Sequence, residues 1–372
     1  MNDKKILQVC SNYMGTKLYQ NLFDNLSRKG IEHDVFYFCA KSVAVPPVND
    51  NIIVSQVFNP FERYIFPLKH TKVYKDLLTK IDVYDYSMTH AHSLMSNGYI
   101  SNRLKREFSI PYIVAVRNTD VYTFLKYKPY LIFMARRIMN EAENVIFISP
   151  SYRDMVLNKV VAPADYESMA KKSVVIPNGI DDYYLDNLNN TKEAPGDEIT
   201  LIYVGRVDDF NKNIFTTIKA CDILIAKGQK VKLNMIGRLN NKVFQKLILK
   251  RDYINYLGQQ SMENVHKHLR EADIFVMPSK HETFGLVYVE AMSQGLPVIY
   301  TKNQGFDGNF AEGEVGYHVV YNNPEEIAMR IMDIKANYCH ISKNAAEGSK
   351  KFNWDSLSDE YVKLYANIMS MR

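Results

Sequence analysis

The 372-residue chain has four cysteines, Cys10, Cys39, Cys221 and Cys339, and no two form a C-x-x-C pair. That scatter offers neither a zinc ribbon nor a disulfide framework, and it reads as buried thiols in a reducing cytoplasm. No run approaches the ~20 apolar residues that a membrane-spanning helix needs. The apolar stretch in "MNDKKILQVCSNYMG" is only a few residues long, so it is not read as a secretory signal. There is no G-x-G-x-x-G, so a nicotinamide dinucleotide site lacks its fingerprint, and there is no P-loop. Low-complexity tracts and solenoid-length repeats are missing as well. The basic residues are not interleaved into a nucleic-acid-binding pattern.

What is present is ordinary for a globular protein: 47% hydrophobic and 23% charged residues. The length exceeds one typical core and implies two domains. "KKILQVC", "HDVFYF", "YSMTHAH", "YIVAVR" and "NVIFIS" read as strands, with amphipathic stretches at 16–29, 95–107 and 130–142. After a break the pattern restarts with "ITLIYVGR", "VKLNMIG", "INYLG", "DIFVMPS" and "LPVIYT". Short apolar strands alternating with helices imply α/β architecture, with two doubly wound parallel sheets covered on both faces. The stretch 173–198 holds a strand, a Pro-Asn-Gly turn and a polar, turn-rich run, which puts the hinge near Gly179. The expected domains are 1–178 and 179–352. A last helix, 353–372, has Trp354, Leu357, Tyr361, Leu364 and Tyr365 on one side, as for a return to the first domain. Residues 1–178 carry 23 Lys/Arg against 16 Asp/Glu, and residues 179–372 carry 23 against 25. The basic first half suggests an anionic partner there. In such sheets ligands sit beyond the carboxyl ends of the strands, so site residues are sought just after strands and the site is expected in the cleft between domains.

"PSKHETFGLVYVEAMSQGLPVI", 278–299, is the first such place. It reads as a strand end, a loop and a helix closed by Gly295. The amides of Phe284, Gly285 and Leu286 would crown the helix and suit phosphate oxygens. Eight helical residues span ~12 Å, which would leave Glu282 and Glu290 on roughly one face. Carboxylates accept hydrogen bonds from hydroxyl pairs, so a sugar nucleotide would fit. The alternative is a helix cap and a surface residue. In "YVGRVDDFNKNI", 203–214, Arg206 and Lys212 follow a strand and could neutralise a diphosphate as it leaves. The alternative there is a pair of solvated loop charges.

The order "VGR…KN", "MIG", "YLG", "ADIFVMPS…E-T-FGL…EAMSQGLPVI" and "GYHV", with "IPNGID" and "THAHS" upstream, resembles the retaining GT-B glycosyltransferases of family 4, or group 1. The resemblance implies two Rossmann-like domains facing across a cleft, with the C-terminal helix returning to the first. It implies Glu290 on the ribose hydroxyls and Glu282 near the donor sugar. Arg206, Lys212 and the amides of Phe284, Gly285 and Leu286 would hold the diphosphate. Gly237, Leu257 and Gly258 would line the nucleotide site, the last two near the base, and Gly15 in "SNYMGTK" would approach the phosphates. Where relatives often read His-Gly-Thr-Asp, this chain has "RNTD": Arg117 and Asn118 replace the His and Gly, while Thr119 and Asp120 remain. Arg117 and Asp120 are therefore candidate catalytic groups, with an Arg117–Asp120 ion pair as the structural alternative. The first loop has one glycine where many relatives have two, and Arg206 and Lys212 stand one residue further apart than is usual.

His90 and His92 share a strand face, and a structural or acceptor-loop role is favoured over a metal site. No Asp-x-Asp triplet occurs, so no metal and no cofactor beyond a nucleoside-diphosphate sugar donor is expected. The expected activity is metal-independent, retaining transfer of a hexosyl type to a glycan or lipid-linked acceptor, in bacterial surface polysaccharide assembly. A catalytically weak nucleotide-sugar-binding scaffold and a GT-B-like epimerase are the alternatives. "FNPFERYIFPLKHTKVYKDL" and "FLKYKPYLIFMARRIM" mix aromatics with Lys and Arg. They read either as a peripheral contact with the inner membrane face or as core helices with solvated edges.

Overall fold

A computed structural model describes residues 5–370 apart from residue 249. By its internal contacts the chain forms two compact units. The first runs to Ile148, resumes over Arg153–Pro177 and takes in the last helix from Trp354; the second holds Ser149–Tyr152 and Asn178–Asn353.

The first unit is built on seven strands: β1 (Lys5–Val9), β2 (His33–Ala40), β3 (Ile52–Phe58), β4 (Tyr86–Ala91), β5 (Tyr112–Ala115), β6 (Val145–Phe147) and β7 (Ser173–Val175). They lie in the order β3-β2-β1-β4-β5-β6-β7 and pair in parallel throughout. A parallel sheet needs both faces covered, and the near-continuous apolar runs in β2 and β5 answer that need. The helix Lys17–Arg28 starts where the Thr16 hydroxyl accepts the Leu18 amide, and it buries Tyr19, Leu22, Phe23 and Leu26 at helical spacing. The helix Trp354–Ser370 buries Trp354, Leu357, Tyr361, Tyr365 and Ile368 in the same core, with Ile6, Val35, Met88 and Ile113 from the sheet. Leu364, expected in that stripe, is only partly buried, and Ile368 takes the next core turn.

The second unit has β8 (Glu198–Val204), β9 (Lys230–Ile236), β10 (Ile254–Gly258), β11 (Ile274–Val276), β12 (Val298–Thr301) and β13 (Gly316–Val319), again all parallel. Their order is β10-β9-β8-β11-β12-β13. Strand β3 has no counterpart in the sequence reading. It is an edge strand, half-buried, with Ser55 and Gln56 breaking the apolar run. Among the described residues no helix is long and apolar enough to cross a membrane.

Strand order reverses once in each sheet, between β1 and β4 and between β8 and β11. At such a switch point neighbouring loops leave in opposite directions and open a crevice at the carboxyl ends. The loops after β8 and β11 carry the strongest sequence motifs.

Candidate functional site

The loop after β8 is stitched to the loop after β11. The Asn211 side chain donates to the His281 carbonyl (2.9 Å) and accepts the His281 amide (3.0 Å), while the Asn211 carbonyl takes the Lys280 amide (2.8 Å). Asn213, left-handed at φ 55°, donates to the carbonyls of Pro278 (2.9 Å) and Tyr321 (2.5 Å). Asn tolerates that backbone better than most residues. Between these stitches the Lys212 ammonium meets the Glu282 carboxylate at 2.6 Å, and the other Glu282 oxygen accepts the Thr283 amide (3.1 Å). The two side chains are 25% and 12% exposed, so the pair is only partly screened by water. Arg206 is 63% exposed, and its Nε contacts Asp208 at 2.9 Å. Asp208 is fixed in turn by the Asn240 amide (2.9 Å). Asn211, Asn213 and Gln304, whose side chain accepts the Glu282 amide (3.2 Å), were missed in the sequence because their partners are distant in the chain, and Asp208 because nothing in the sequence pairs it with the Asn240 amide.

The helix that carries Glu290 is shorter than its sequence suggests. It spans Leu286–Ser293, with Gly285 as its N-cap. Gly285 is left-handed at φ 82°, and a β-carbon there would lie 2.5 Å from the Tyr288 ring. Glu282 therefore stands in the loop, off the helix, and the expectation of eight helical residues linking the two glutamates is corrected. Four residues, about 6 Å of helix, separate Leu286 from Glu290. The Tyr288 amide donates to the Gly285 carbonyl (3.0 Å), and the amides before it in the helix have no intrahelical acceptor. The Phe284 side chain is buried against Phe306 and Phe352, so only its backbone is available to a ligand.

A second backbone holds that start in place. Gly305 donates its amide to the Glu282 carbonyl (2.9 Å), and a β-carbon on Gly305 would lie 2.2 Å from the Thr283 carbonyl carbon. Backbone cannot move aside as a flexible side chain can. Gly305→Ala is expected to destabilise the fold by about 3 kcal/mol, as read by urea denaturation. Gly228→Ala, where nothing lies within 4 Å, should cost only about 1–2 kcal/mol from its left-handed backbone.

Glu290 is half-buried, and among the described residues no side-chain donor reaches its carboxylate. Loss of hydration pushes it up to about 7, and the nearby Asp181 carboxylate adds to the push. Asp181 caps the short helix Asp182–Asp186 through the Tyr183 amide (3.1 Å). Gly237, Leu257 and Gly258 lie at neighbouring strand ends: the Gly237 amide donates to the Gly258 carbonyl (2.8 Å), and the Leu257 carbonyl accepts from the Gln260 side chain.

The remaining candidates belong to the first unit. Gly15 ends a short 3₁₀ turn after β1 and donates to the Asn12 carbonyl (2.9 Å). Asp120 is fully buried, and its two oxygens accept the amides of Leu94, Met95 (both 2.9 Å) and Arg117 (2.8 Å). Burial still pushes its carboxyl up to about 6. The candidate catalytic Asp120 thus braces the loops after β4 and β5. Arg117 turns its Nε to the His92 carbonyl (3.3 Å) and hydrogen-bonds the Tyr361 hydroxyl. His90 contacts the Tyr365 hydroxyl (2.7 Å), His92 contacts Gln8 (2.8 Å), and their rings lie 3.8 Å apart. Burial and Arg117 hold His90 neutral, and burial and His90 do the same for His92. Among the described residues no group of three His, Cys, Asp or Glu is placed to hold a metal.

Two doubly wound parallel sheets, with the motif-bearing loops at the switch point of the second, define the GT-B glycosyltransferase class. The family described as Glycosyl transferases group 1 matches residues 186–352, and Glycosyltransferase Family 4 matches 17–183. The chain belongs to the group 1, family 4 glycosyltransferases. It is similar to the capsular polysaccharide biosynthesis glycosyltransferase CapM of Staphylococcus aureus, 27% identical over 67% of this chain and 69% of that one. Among solved structures it resembles sucrose-phosphate synthase from Thermosynechococcus elongatus, with a TM-score of 0.75 at 20% identity over 99% of this chain and 100% of that one. It also resembles Anabaena Alr3699/HepE in complex with UDP and glucose, with a TM-score of 0.67 at 17% identity over 98% and 100%.

Proposed function

We propose that this glycosyltransferase moves a hexosyl group from a nucleoside-diphosphate sugar to a glycan or lipid-linked acceptor, with retention and without a metal, in the cytoplasmic assembly of a surface polysaccharide. The observation that carries the reading is the Lys212–Glu282 pair (2.6 Å) near the start of a helix whose half-buried Glu290 has no donor of its own among the described residues. Glu290 accepts the ribose hydroxyls, and Lys212, Arg206 and the amides of residues 284–286 hold the diphosphate. Glu282 orients the sugar, and Leu257 and Gly258 lie beside the base. The UDP and glucose held by the Anabaena protein support this type of donor, and the name of the staphylococcal relative supports the setting.

The acceptor oxygen attacks the anomeric carbon on the face that the diphosphate leaves. The carbon–oxygen bond to phosphate breaks, its electron pair goes to the diphosphate, and the acceptor proton follows onto a departing phosphate oxygen. Arg206 and Lys212 stabilise the charge that develops there, and positioning supplies most of the rest. Slow hydrolysis of the donor tests this without knowledge of the acceptor. Nucleoside diphosphate and a sugar of unchanged anomeric configuration, released equally with and without a chelator, are the expected products. Binding with neither release nor transfer would favour the scaffold reading.

Glu290 gives the site a pH dependence of definite sign. A carboxyl raised in the folded state favours its protonated form, so in the free protein Glu290 costs stability as pH rises through about 7. Ribose hydroxyls donate to the anion. Donor binding should release a proton and weaken as pH falls below 7, by up to about tenfold per pH unit. Calorimetry in buffers of different ionisation enthalpy reads that proton. The Glu290→Gln variant should bind with a flat profile, and an unchanged slope in it would assign the proton elsewhere.

A further inference from the structure

Fifteen large hydrophobic side chains are exposed among the described residues, and seven of them fall in two short segments of the first unit. Phe61, Tyr64, Ile65 and Leu68 come from one segment, and Tyr127, Tyr130 and Phe133 from the other; Phe133 is 73% exposed. The fold brings the segments together. The Lys128 ammonium donates to the Tyr64 carbonyl (2.5 Å), and the buried Phe66 ring meets Phe124 edge-on at 5.9 Å. Cations crowd the same place. Arg63 and Lys128 act on Lys69, which burial and these like charges bring down to about 8. Residues 121–140 carry four Lys and Arg and no acid.

A cleft of about 390 Å³ adjoins this face, lined by Tyr99, Asn102, Arg103, Arg106, Glu107 and Arg137. Tyr99 packs edge-on against Phe66 at 5.7 Å. Phe133 and Arg137 stand four residues apart on the helix Ile132–Glu141, and so on one side of it. Arg103 is neutralised by Glu107 at 2.7 Å, whereas Arg106 and Arg137 make no ion pair among the described residues. Aromatic rings gathered on one exposed face are unusual for a surface that meets only water, and two guanidinium groups without an ion pair among the described residues line the concavity beside them.

We propose that this face docks on an anionic phospholipid bilayer, with Tyr127, Tyr130 and Phe133 in the interfacial layer and a lipid phosphate seated between Arg106 and Arg137. Tyrosine and phenylalanine rings with lysine stems match the mixed polarity of that layer, and arginine forks match phosphate geometry. A single-stranded nucleic acid would also meet cations and rings, but its bases would need a continuous stacking groove, and the cleft here is a space of about 390 Å³. A second copy of this face would bring like charges together. The inference is independent of the donor site and of the acceptor's identity.

Vesicle flotation tests it on the whole chain. At about 0.1 M salt the protein should float with phosphatidylcholine vesicles containing roughly 30% phosphatidylglycerol and stay behind with phosphatidylcholine alone. About 0.5 M salt should reduce binding at least tenfold. The paired substitution Lys126→Glu/Arg137→Glu should lower vesicle affinity at least tenfold, and Arg137→Glu alone should lower it severalfold, with donor binding and melting temperature unchanged. Trp354, the one tryptophan, is buried, so Phe133→Trp provides a reporter whose emission should shift to the blue with anionic vesicles only. Failure to float with anionic vesicles, flotation indifferent to the charge reversals, or self-association without vesicle binding would each overturn the proposal.

Discussion

Glu282→Ala is expected to lower turnover by about 10²–10³-fold while leaving nucleoside-diphosphate affinity unchanged or slightly tighter. The split follows from the 2.6 Å contact with Lys212. Removing the carboxylate takes away the group assigned to the sugar and also frees the ammonium for the diphosphate. Glu282→Gln keeps an acceptor for the Thr283 amide and should fall between wild type and the alanine variant. Arg206→Ala behaves differently. Its side chain is largely exposed and its partner Asp208 is also held by the Asn240 amide, so donor affinity and turnover should fall together. Steady-state kinetics with competitive inhibition by the free nucleoside diphosphate separate the two patterns. Equal losses of affinity in both variants would remove Glu282 from the sugar.

The second large effect is on folding. Asp120→Ala is expected to cost the protein about 3–5 kcal/mol, because three amides lose their acceptor where water does not reach. Leu94 and Met95 are themselves fully buried, so their amides have no alternative partner in solvent. For a unit of this size the melting temperature should fall by roughly 10 °C. Asp120→Asn retains one acceptor oxygen and should recover part of the loss. Activity per folded molecule should be largely kept in that variant if Asp120 acts only as a brace; a complete loss of turnover in well-folded Asp120→Asn would assign it the catalytic role.

The α/β architecture was legible because parallel strands buried on both faces are written as short β-branched runs, as "VFYF" and "YIVA" are. Helix positions followed from apolar spacing to within two residues: 16–29 was expected against Lys17–Arg28, and 130–142 against Ile132–Glu141. Strand β3 escaped because an edge strand is under less pressure to be apolar. The helix start at Leu286 escaped because a glycine signals freedom without stating which way it will turn; only the packing of Gly305 and Tyr288 against that segment decides. Side-chain pairings were least legible. Lys212 and Glu282 were both candidates, yet their mutual contact joins loops after β8 and β11, and Arg117 meets Tyr361 from the last helix. Local pattern holds no trace of such pairs.

The site reading depends most directly on whether a nucleotide sugar is held through Glu290. Calorimetric titration of the wild-type chain and Glu290→Ala with UDP-, GDP-, ADP- and TDP-sugars, with melting curves alongside, addresses that question. One nucleotide series should bind the wild type and, at about 100 times its Kd, stabilise it by about 2.7 kcal/mol. The variant should bind that donor at least about tenfold more weakly. Absence of binding by every nucleotide sugar, or equal binding by the variant, would contradict the account.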